Sequence, residues 1–424
     1  MVKRSRYLDK IIRSMWDGQI KVVTGIRRCG KSVLLFELFI EYLKSSGVAE
    51  SQIITIELDR RIFYKYRNPI TLCEYVESVV SAETEKKFYL LIDEVQFTQR
   101  VIDKENGGIE ITIYDMLNEL NGYKNLDVYV TGSNSKGLSK DIATEFRGRS
   151  TQIHIYPLSF SEFYSEVGGD ERAAFEHYML YGGLPRILSI QNEADKKEYL
   201  SSLYKELYIK DIIERNKIER RDILDSILDM LASQISSLTN PTNVANSIAS
   251  MTKEKINPAL VSNYIQFIED GFLISTARRY DIKGKSYFNF PNKYYYSDIG
   301  LRNIRLNFRQ IDTGHIMENI IYNELVLRGY SVDVGVVVDR TKGQNAQKEI
   351  DFVVNNVDKR IYIQSALRMD EDEKVNAELS SLLLAKDFFK KIIIRMDIPR
   401  SFYDENGIFH CALIDFLLER VELF

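Results

Sequence analysis

Eight residues, Gly25-Ile26-Arg27-Arg28-Cys29-Gly30-Lys31-Ser32, constrain what this chain can fold into more than any other feature. They follow a short apolar run, IKVVT from Ile20 to Thr24, and precede an amphipathic stretch, VLLFELFIEYLKSS, that opens at Val33. G-x-x-x-x-G-K-[ST] between a strand and a helix is the spacing of a loop that cradles phosphate. Glycine lets the backbone curl until successive amide hydrogens face one point, and the positive end of the following helix attracts the same anion. On this reading Gly25, Ile26, Arg27, Arg28, Cys29, Gly30, Lys31, Ser32 and Val33 bind nucleotide. Lys31 reaches the β and γ phosphates as a catalytic cation, and the Ser32 hydroxyl faces Mg²⁺.

The surrounding sequence supplies a frame for that loop. Further apolar runs read as strands at Ile53 to Leu58, Phe88 to Ile92, Val128 to Thr131 and Gln152 to Tyr156, with amphipathic stretches between them. Near-continuous hydrophobicity marks strands buried on both faces, and alternation with helices predicts a parallel α/β sheet. The run FYLLI ends in Asp93-Glu94. A carboxylate pair at a strand end near a phosphate loop suits Asp93 to hold Mg²⁺ and Glu94 to polarise the attacking water. VYVT ends in Gly132-Ser133-Asn134, where Asn134 or Ser133 is placed either to sense a γ-phosphate or to cap a helix. Arg147 and Arg149 precede the fifth strand. Either offers a guanidinium to a neighbour's transition state, or compensates a helix dipole.

Length and composition set outer bounds. A chain of 424 residues exceeds one hydrophobic core and predicts two to four domains. Hydrophobic residues make up 45% and charged residues 28%, as in water-soluble globular proteins. The absence of an apolar run of about eighteen residues, and of a hydrophobic core in MVKRSRYLDKIIRSMWDG, predicts a cytoplasmic protein without a membrane span. Cys29, Cys73 and Cys411 are too scattered for a zinc site or disulfide framework. A formal net charge of -4 argues against a wholly basic nucleic-acid binder and leaves room for a local basic face.

Beyond residue 158, where the phosphate-loop domain of residues 1–158 ends, the pattern changes. Helix formers dominate 159–222, broken at Tyr181-Gly-Gly-Leu-Pro185. Residues 223–308 carry three helical patterns and then a hairpin-like stretch, ISTARRYDIKGKSYFNFPNKYYYS, with Gly284 at its turn, an order that suggests a winged helix-turn-helix. If its last helix enters a major groove, Asn257, Ser262, Asn263 and Gln266 reach bases while Arg278, Arg279, Lys283 and Lys285 lie near phosphates; alternatively, the module serves packing alone. Residues 309–424 read as a second α/β domain, with a helix GHIMENIIYNELVLRG and strands at Ser331 to Val338, Ile350 to Val354 and Ile361 to Ser365. The acidic run Asp370 to Lys374 reads as a solvated loop or helix start.

Six ordered motifs resemble those of the AAA+ branch of P-loop ATPases, and of a prokaryotic two-part family within it: TGIRRCGKS, LLIDEVQ, TGSNS, RGRS, PLSFSEF and YGGLPR. The resemblance implies a sheet in 5-1-4-3-2 order, a helical lid and a ring-like homo-oligomer, hexameric or similar. It also sets Gly183 and Pro185 near the nucleotide base, with Arg186 as a second sensor, although a rigid turn explains Gly and Pro as well. The last domain resembles the restriction-endonuclease-like PD-(D/E)xK fold, with Glu318 on its first helix and Glu349-Ile350-Asp351 opening a strand. Gln364-Ser365-Ala366 stands where that fold's active members carry E-x-K, so an intact metal nuclease is not expected. The leading expectation is an ATP- and Mg²⁺-dependent oligomeric ATPase that remodels DNA through its carboxy-terminal half. Its rivals are a nucleotide-controlled interaction protein without a DNA substrate and an ATP-dependent nuclease.

Overall fold

The apolar runs of the first part form a five-stranded sheet in a computed structural model that describes residues 2–103, 107–132, 146, 148–339, 346–369 and 379–424. In chain order the strands of this part are β1 (Ile20–Gly25), β2 (Ile53–Glu57), β3 (Phe88–Asp93), β4 (Val101–Asp103), β5 (Ile109–Ile111), β6 (Leu126–Thr131) and β7 (Ser150–Ile155). β4 and β5 pair with each other as a small antiparallel hairpin. The other five are parallel in the order β2-β3-β6-β1-β7, which is 5-1-4-3-2 when the sheet strands are counted along the chain.

Central β1, β3 and β6 bury every residue, whereas β2 at the edge alternates. Leu72, Val76 and Val80 of helix Pro69–Ala82, with Leu117 and Leu120 of helix Ile113–Leu120, close one core over Ile54, Ile56, Leu90 and Val128. Each such side chain contributes about 1.5–3 kcal/mol by leaving water. Local signals fix where these helices begin. Asn68 accepts the Ile70 amide at 3.0 Å ahead of a proline, and Thr112 exchanges hydrogen bonds with Asp115. One charge is built into the sheet: Lys21 is fully buried and pairs with Asp127 at 2.5 Å and Asp17 at 2.8 Å.

The chain divides into two compact units, Met1–Tyr156 and Pro157–Phe424. The second opens with helices Phe160–Val167, Glu171–Tyr181 and Glu193–Ser202, the last running on through Leu203–Ile209 to Lys210–Asn216. Helices Arg221–Ser233, Pro241–Thr252 and Pro258–Asp270 follow. The remaining strands are β8 (Ile274–Ala277), β9 (Arg279–Asp281), β10 (Ser286–Tyr287), β11 (Lys293–Tyr296), β12 (Ser331–Asp339), β13 (Ala346–Asn356), β14 (Lys359–Ala366), β15 (Lys390–Arg395), β16 (Phe402–Tyr403) and β17 (Phe409–Ala412). Among the described residues no helix is long and apolar enough to cross a membrane.

Here the single hairpin expected over 274–297 gives way to two separate pairings. β8 pairs with β11, while β9 and β10 join an eight-stranded sheet in the order β10-β9-β12-β13-β14-β15-β17-β16. The reason is apolar: Tyr280 and Ile282 are buried with Val337, Ile350, Val353 and Tyr362, so this stretch gains more from that core than as a free wing. A boundary drawn at residue 308 therefore cuts through one sheet.

Candidate nucleotide site

β1 delivers the chain to Gly25 at the carboxyl edge of the sheet, and the loop can close only with glycine there. A Cβ on Gly25 would lie 2.2 Å from the Ile155 carbonyl oxygen of β7, and its φ of 145° is one that side-chain-bearing residues rarely adopt. Arg28 turns the chain at φ 64° and Gly30 at φ 100°, after which helix Lys31–Val33 begins and continues through Leu34–Phe39. Ile26 and Cys29 are buried, with Cys29 Sγ 3.6 Å from the Ile155 carbonyl oxygen, while Arg28 and Ser32 are exposed. Buried Lys31 donates from Nζ to the carbonyl oxygens of Gly25 and Ile26, each at 3.1 Å, so its ammonium lies within the curl of the loop.

Two neighbouring strands supply the acidic side. Ser32 Oγ donates to Asp93 Oδ2 at 2.8 Å, and Thr131 Oγ1, at the end of β6, donates to Asp93 Oδ1. The Glu94 amide donates to Thr131 Oγ1 at 3.0 Å, so one hydroxyl aligns both carboxylate-bearing residues. Burial raises the Asp93 carboxyl above its ordinary range, and the Thr131 and Ser32 hydrogen bonds and the charge of Lys31 offset that only in part. Glu94 holds φ 57°, a strained value for a residue with a side chain, and its carboxylate accepts from the Gln96 amide. A hydroxyl and a buried carboxylate in contact are oxygen donors of the kind a hard divalent cation takes, the remainder of its shell coming from phosphate and water.

The other expected residues are placed as follows. Asn134 and Arg147 lie outside the described residues. Arg149 is exposed and sits at the start of β7, its carbonyl oxygen accepting the Ile20 amide at 2.9 Å. That is the edge of the sheet opposite the phosphate loop, about 20 Å away for a six-residue strand. Pro185 belongs to the second unit and heads the short turn Pro185–Ser189. The preceding glycines answer to Asp298: its carboxylate accepts the Gly183 amide at 2.7 Å, and a Cβ on Gly182 would lie 2.2 Å from it. Asn263 and Gln266 are exposed on helix Pro258–Asp270, Gln266 donating to Asp270 at 2.7 Å; Asn257 caps that helix. Arg278 stacks over the Tyr287 ring, Arg279 donates to Gln347 at 2.8 Å, and Lys283 and Lys285 are exposed at the β9–β10 turn.

Three groups escaped sequence reasoning. Thr131 was visible only as the last residue of the strand run VYVT and the first of TGSNS. His154 of β7 stands 3.1 Å from the Thr24 hydroxyl beside the loop; burial, with the charge of Lys31, pushes it down to about 4, so it is neutral at physiological pH. Lys293, from β11, inserts its ammonium among Glu318 at 2.8 Å, Glu349 at 2.7 Å and Asp351 at 3.3 Å. Burial works against that charge, and the three carboxylates outweigh it and hold Lys293 well above its ordinary value. Tyr295 donates to Glu318 at 2.7 Å, and Gln364 accepts the Asp351 amide at 3.2 Å. No local pattern announces a lysine that meets partners 25 and 58 residues away.

Comparison with known proteins fits this geometry. Residues 17–164 match the AAA domain family, and residues 172–312 match a domain of unknown function. An uncharacterised protein of Haemophilus influenzae is 32% identical over 427 residues, covering 99% of both chains. The chain belongs to the family of that protein. An uncharacterised protein of Methanocaldococcus jannaschii is 26% identical, over 88% of this chain and 80% of its own. Among solved structures, AMPPCP-bound DnaA from Aquifex aeolicus aligns at 14% identity and a TM-score of 0.30, over 62% of this chain and 86% of that one. Within the first unit the similarity to the AAA domain family spans the phosphate loop and all five strands of the parallel α/β sheet.

Proposed function

We propose that the protein is a Mg²⁺-dependent ATPase that works as a homo-oligomer and remodels DNA through its carboxy-terminal half. One observation carries the first part: Ser32, Asp93, Thr131 and Glu94 converge by direct hydrogen bonds beside the loop that encloses Lys31. Main-chain amides from Gly25 to Val33 would bind the phosphates of ATP, and Lys31 would leave its carbonyl partners for the β and γ phosphates. Ser32 and Asp93 would hold Mg²⁺, which when bound offsets charge on the phosphates. Glu94, released from Gln96, would orient the attacking water. Arg149 would serve a neighbouring protomer, since its own site lies across the sheet.

The second unit is read as a helical lid, a winged helix and an endonuclease-like platform. Exposed Asn263, Gln266, Lys283 and Lys285 support a DNA-facing surface there. Lys293 supports a platform rather than a nuclease: its ammonium already answers the carboxylates that metal-dependent cleavage would need, and Ala366 provides no second amine. The test is steady-state ATP turnover with single-stranded, duplex and branched DNA, at low and at physiological salt. Stimulation by one form supports the DNA-remodelling reading and names its substrate. Turnover indifferent to all three at both salts favours a nucleotide-controlled interaction protein instead.

A further inference from the structure

The segment Arg61–Arg67, RIFYKYR, carries three cations and three aromatic rings and no acid. It leaves β2 at the carboxyl edge of the sheet, the edge that also bears Asp93. Ile62 is 69% exposed and Tyr64 50% exposed, an arrangement that folding alone does not favour. The Arg67 guanidinium lies 4.0 Å from the Tyr64 ring centroid and 5.0 Å from that of Phe97, itself 39% exposed. Arg67 is anchored from behind by its Nε, which donates to the Leu58 carbonyl oxygen at 2.8 Å. Two exposed rings are thus stiffened by one guanidinium, with Arg61 and Lys65 exposed on the same short segment. Nearby acids are partly answered already, Glu57 by Arg60 at 2.6 Å and Glu110 by Arg100 at 3.2 Å, while Asp59 is exposed.

Ring faces beside exposed cations, Lys65 lying 4.7 Å from the Tyr66 ring centroid, suit a chain that offers flat π surfaces and phosphates at close intervals, which is an unpaired nucleic-acid strand. A duplex hides its base faces, and an acidic peptide would use the cations while leaving the rings and Ile62 in water. We propose that this face of the ATPase unit binds single-stranded nucleic acid, with Tyr64 and Phe97 stacking bases and Arg61 and Lys65 meeting phosphates. Occupancy bears on the catalytic edge. The Gln99 amide donates to the Arg67 carbonyl oxygen at 2.8 Å, and Phe97 closes the turn Val95–Phe97 that follows Glu94 and carries its partner Gln96.

Binding is measured without nucleotide, so the result does not depend on the ATPase reading. Full-length protein is titrated into labelled dT20, U20 and a hairpin duplex, with fluorescence anisotropy as readout. Either single strand should bind at least about tenfold tighter than duplex, with Kd rising as roughly the 1.4 power of salt for two phosphate contacts. Tyr64→Ala should weaken binding about tenfold, and joint Arg61→Gln and Lys65→Gln should flatten the salt dependence. Lys124→Gln, an exposed cation ahead of β6 at the opposite edge of the same sheet, should leave it unchanged, which separates loss at this surface from a general loss of positive charge. The proposal falls if neither surface variant changes the affinity, if no strand binds at low salt, or if polyglutamate competes as well as dT20, which would make the partner an acidic protein. A preference between dT20 and U20 tells DNA from RNA.

Discussion

At the scale of single residues, the proposed nucleotide site would divide labour between groups that bind and one that acts on water. Lys31 is buried within the loop, so Lys31→Ala removes the ammonium that the Gly25 and Ile26 carbonyl oxygens hold. ATP hydrolysis and most nucleotide affinity should disappear together, measurable as phosphate release and as binding of a fluorescent ATP analogue. Glu94→Gln keeps the shape and loses the carboxylate. Turnover should fall by about a hundredfold or more while ATP stays bound, as expected for loss of a group that orients the nucleophile. Normal turnover in that variant would remove Glu94 from its role. The loop and the Asp93-Glu94 pair were readable because their chemistry is local: glycines, a lysine and a hydroxyl within eight residues of each other. Thr131 was not, because its importance lies in reaching Asp93 from 38 residues away. Nor was Lys21, which a pattern reader counts as a lapse in an apolar strand and which Asp127 and Asp17 make a buried ion cluster.

Between elements, two buried charges tie segments of the second unit together. Asp298 caps helix Ile299–Arg305 through the Leu301 amide at 3.2 Å and grips the Gly182-Gly183 turn. This gives YGGLPR a reason that does not involve nucleotide, since side chains on either glycine would collide with Asp298 or with the Leu158 carbonyl oxygen. Burial lifts the Asp298 carboxyl from 3.8 to about 6, against the pull of the amides of Gly183, Leu301 and Gly300. A raised acid binds its proton more tightly when folded, so its stabilisation is complete below pH 3.8 and is lost as pH rises through about 6. The stability difference between wild type and Asp298→Asn should therefore change by about 3 kcal/mol between acid and neutral pH, by urea unfolding, with wild type losing ground as pH rises. A pH-independent difference would contradict the assignment. Lys293 joins β11 to the carboxylates of helix Thr313–Leu327 and β13. Lys293→Met leaves three acids facing one another and should cost about 3–5 kcal/mol at neutral pH, with a smaller loss in acid as they take up protons. Strand identity in this unit was legible for β12, β13 and β14, whose apolar runs are long. The destination of β9 was not, because Tyr280 and Ile282 look the same in sequence whether they cover a wing or a neighbouring sheet.

For the molecule as a whole, the question is whether one chain suffices for catalysis. The described residues proposed to bind phosphate and to orient water gather at the carboxyl edge of the first sheet, whereas Arg149 stands exposed at the opposite edge. No side chain spans about 20 Å, since an extended arginine reaches only a fraction of that, so Arg149 cannot serve its own γ-phosphate without refolding β7. A catalytic role for it requires a second copy whose loop faces that edge, and this yields a prediction with a sign. Arg149→Ala protomers keep an intact loop and lack the guanidinium; Lys31→Ala protomers keep the guanidinium and lack the loop. Each alone should be inactive, yet mixed assemblies contain junctions where an intact Lys31 meets an intact Arg149. Phosphate release should therefore recover on mixing, up to about a quarter of wild type when the copies combine at random in equal amounts and junctions act independently, an activation of the size arginine insertion provides. Activity that stays at the level of the separate variants, with assembly verified by light scattering, would leave Arg149 as an exposed residue ahead of β7 with no part in catalysis.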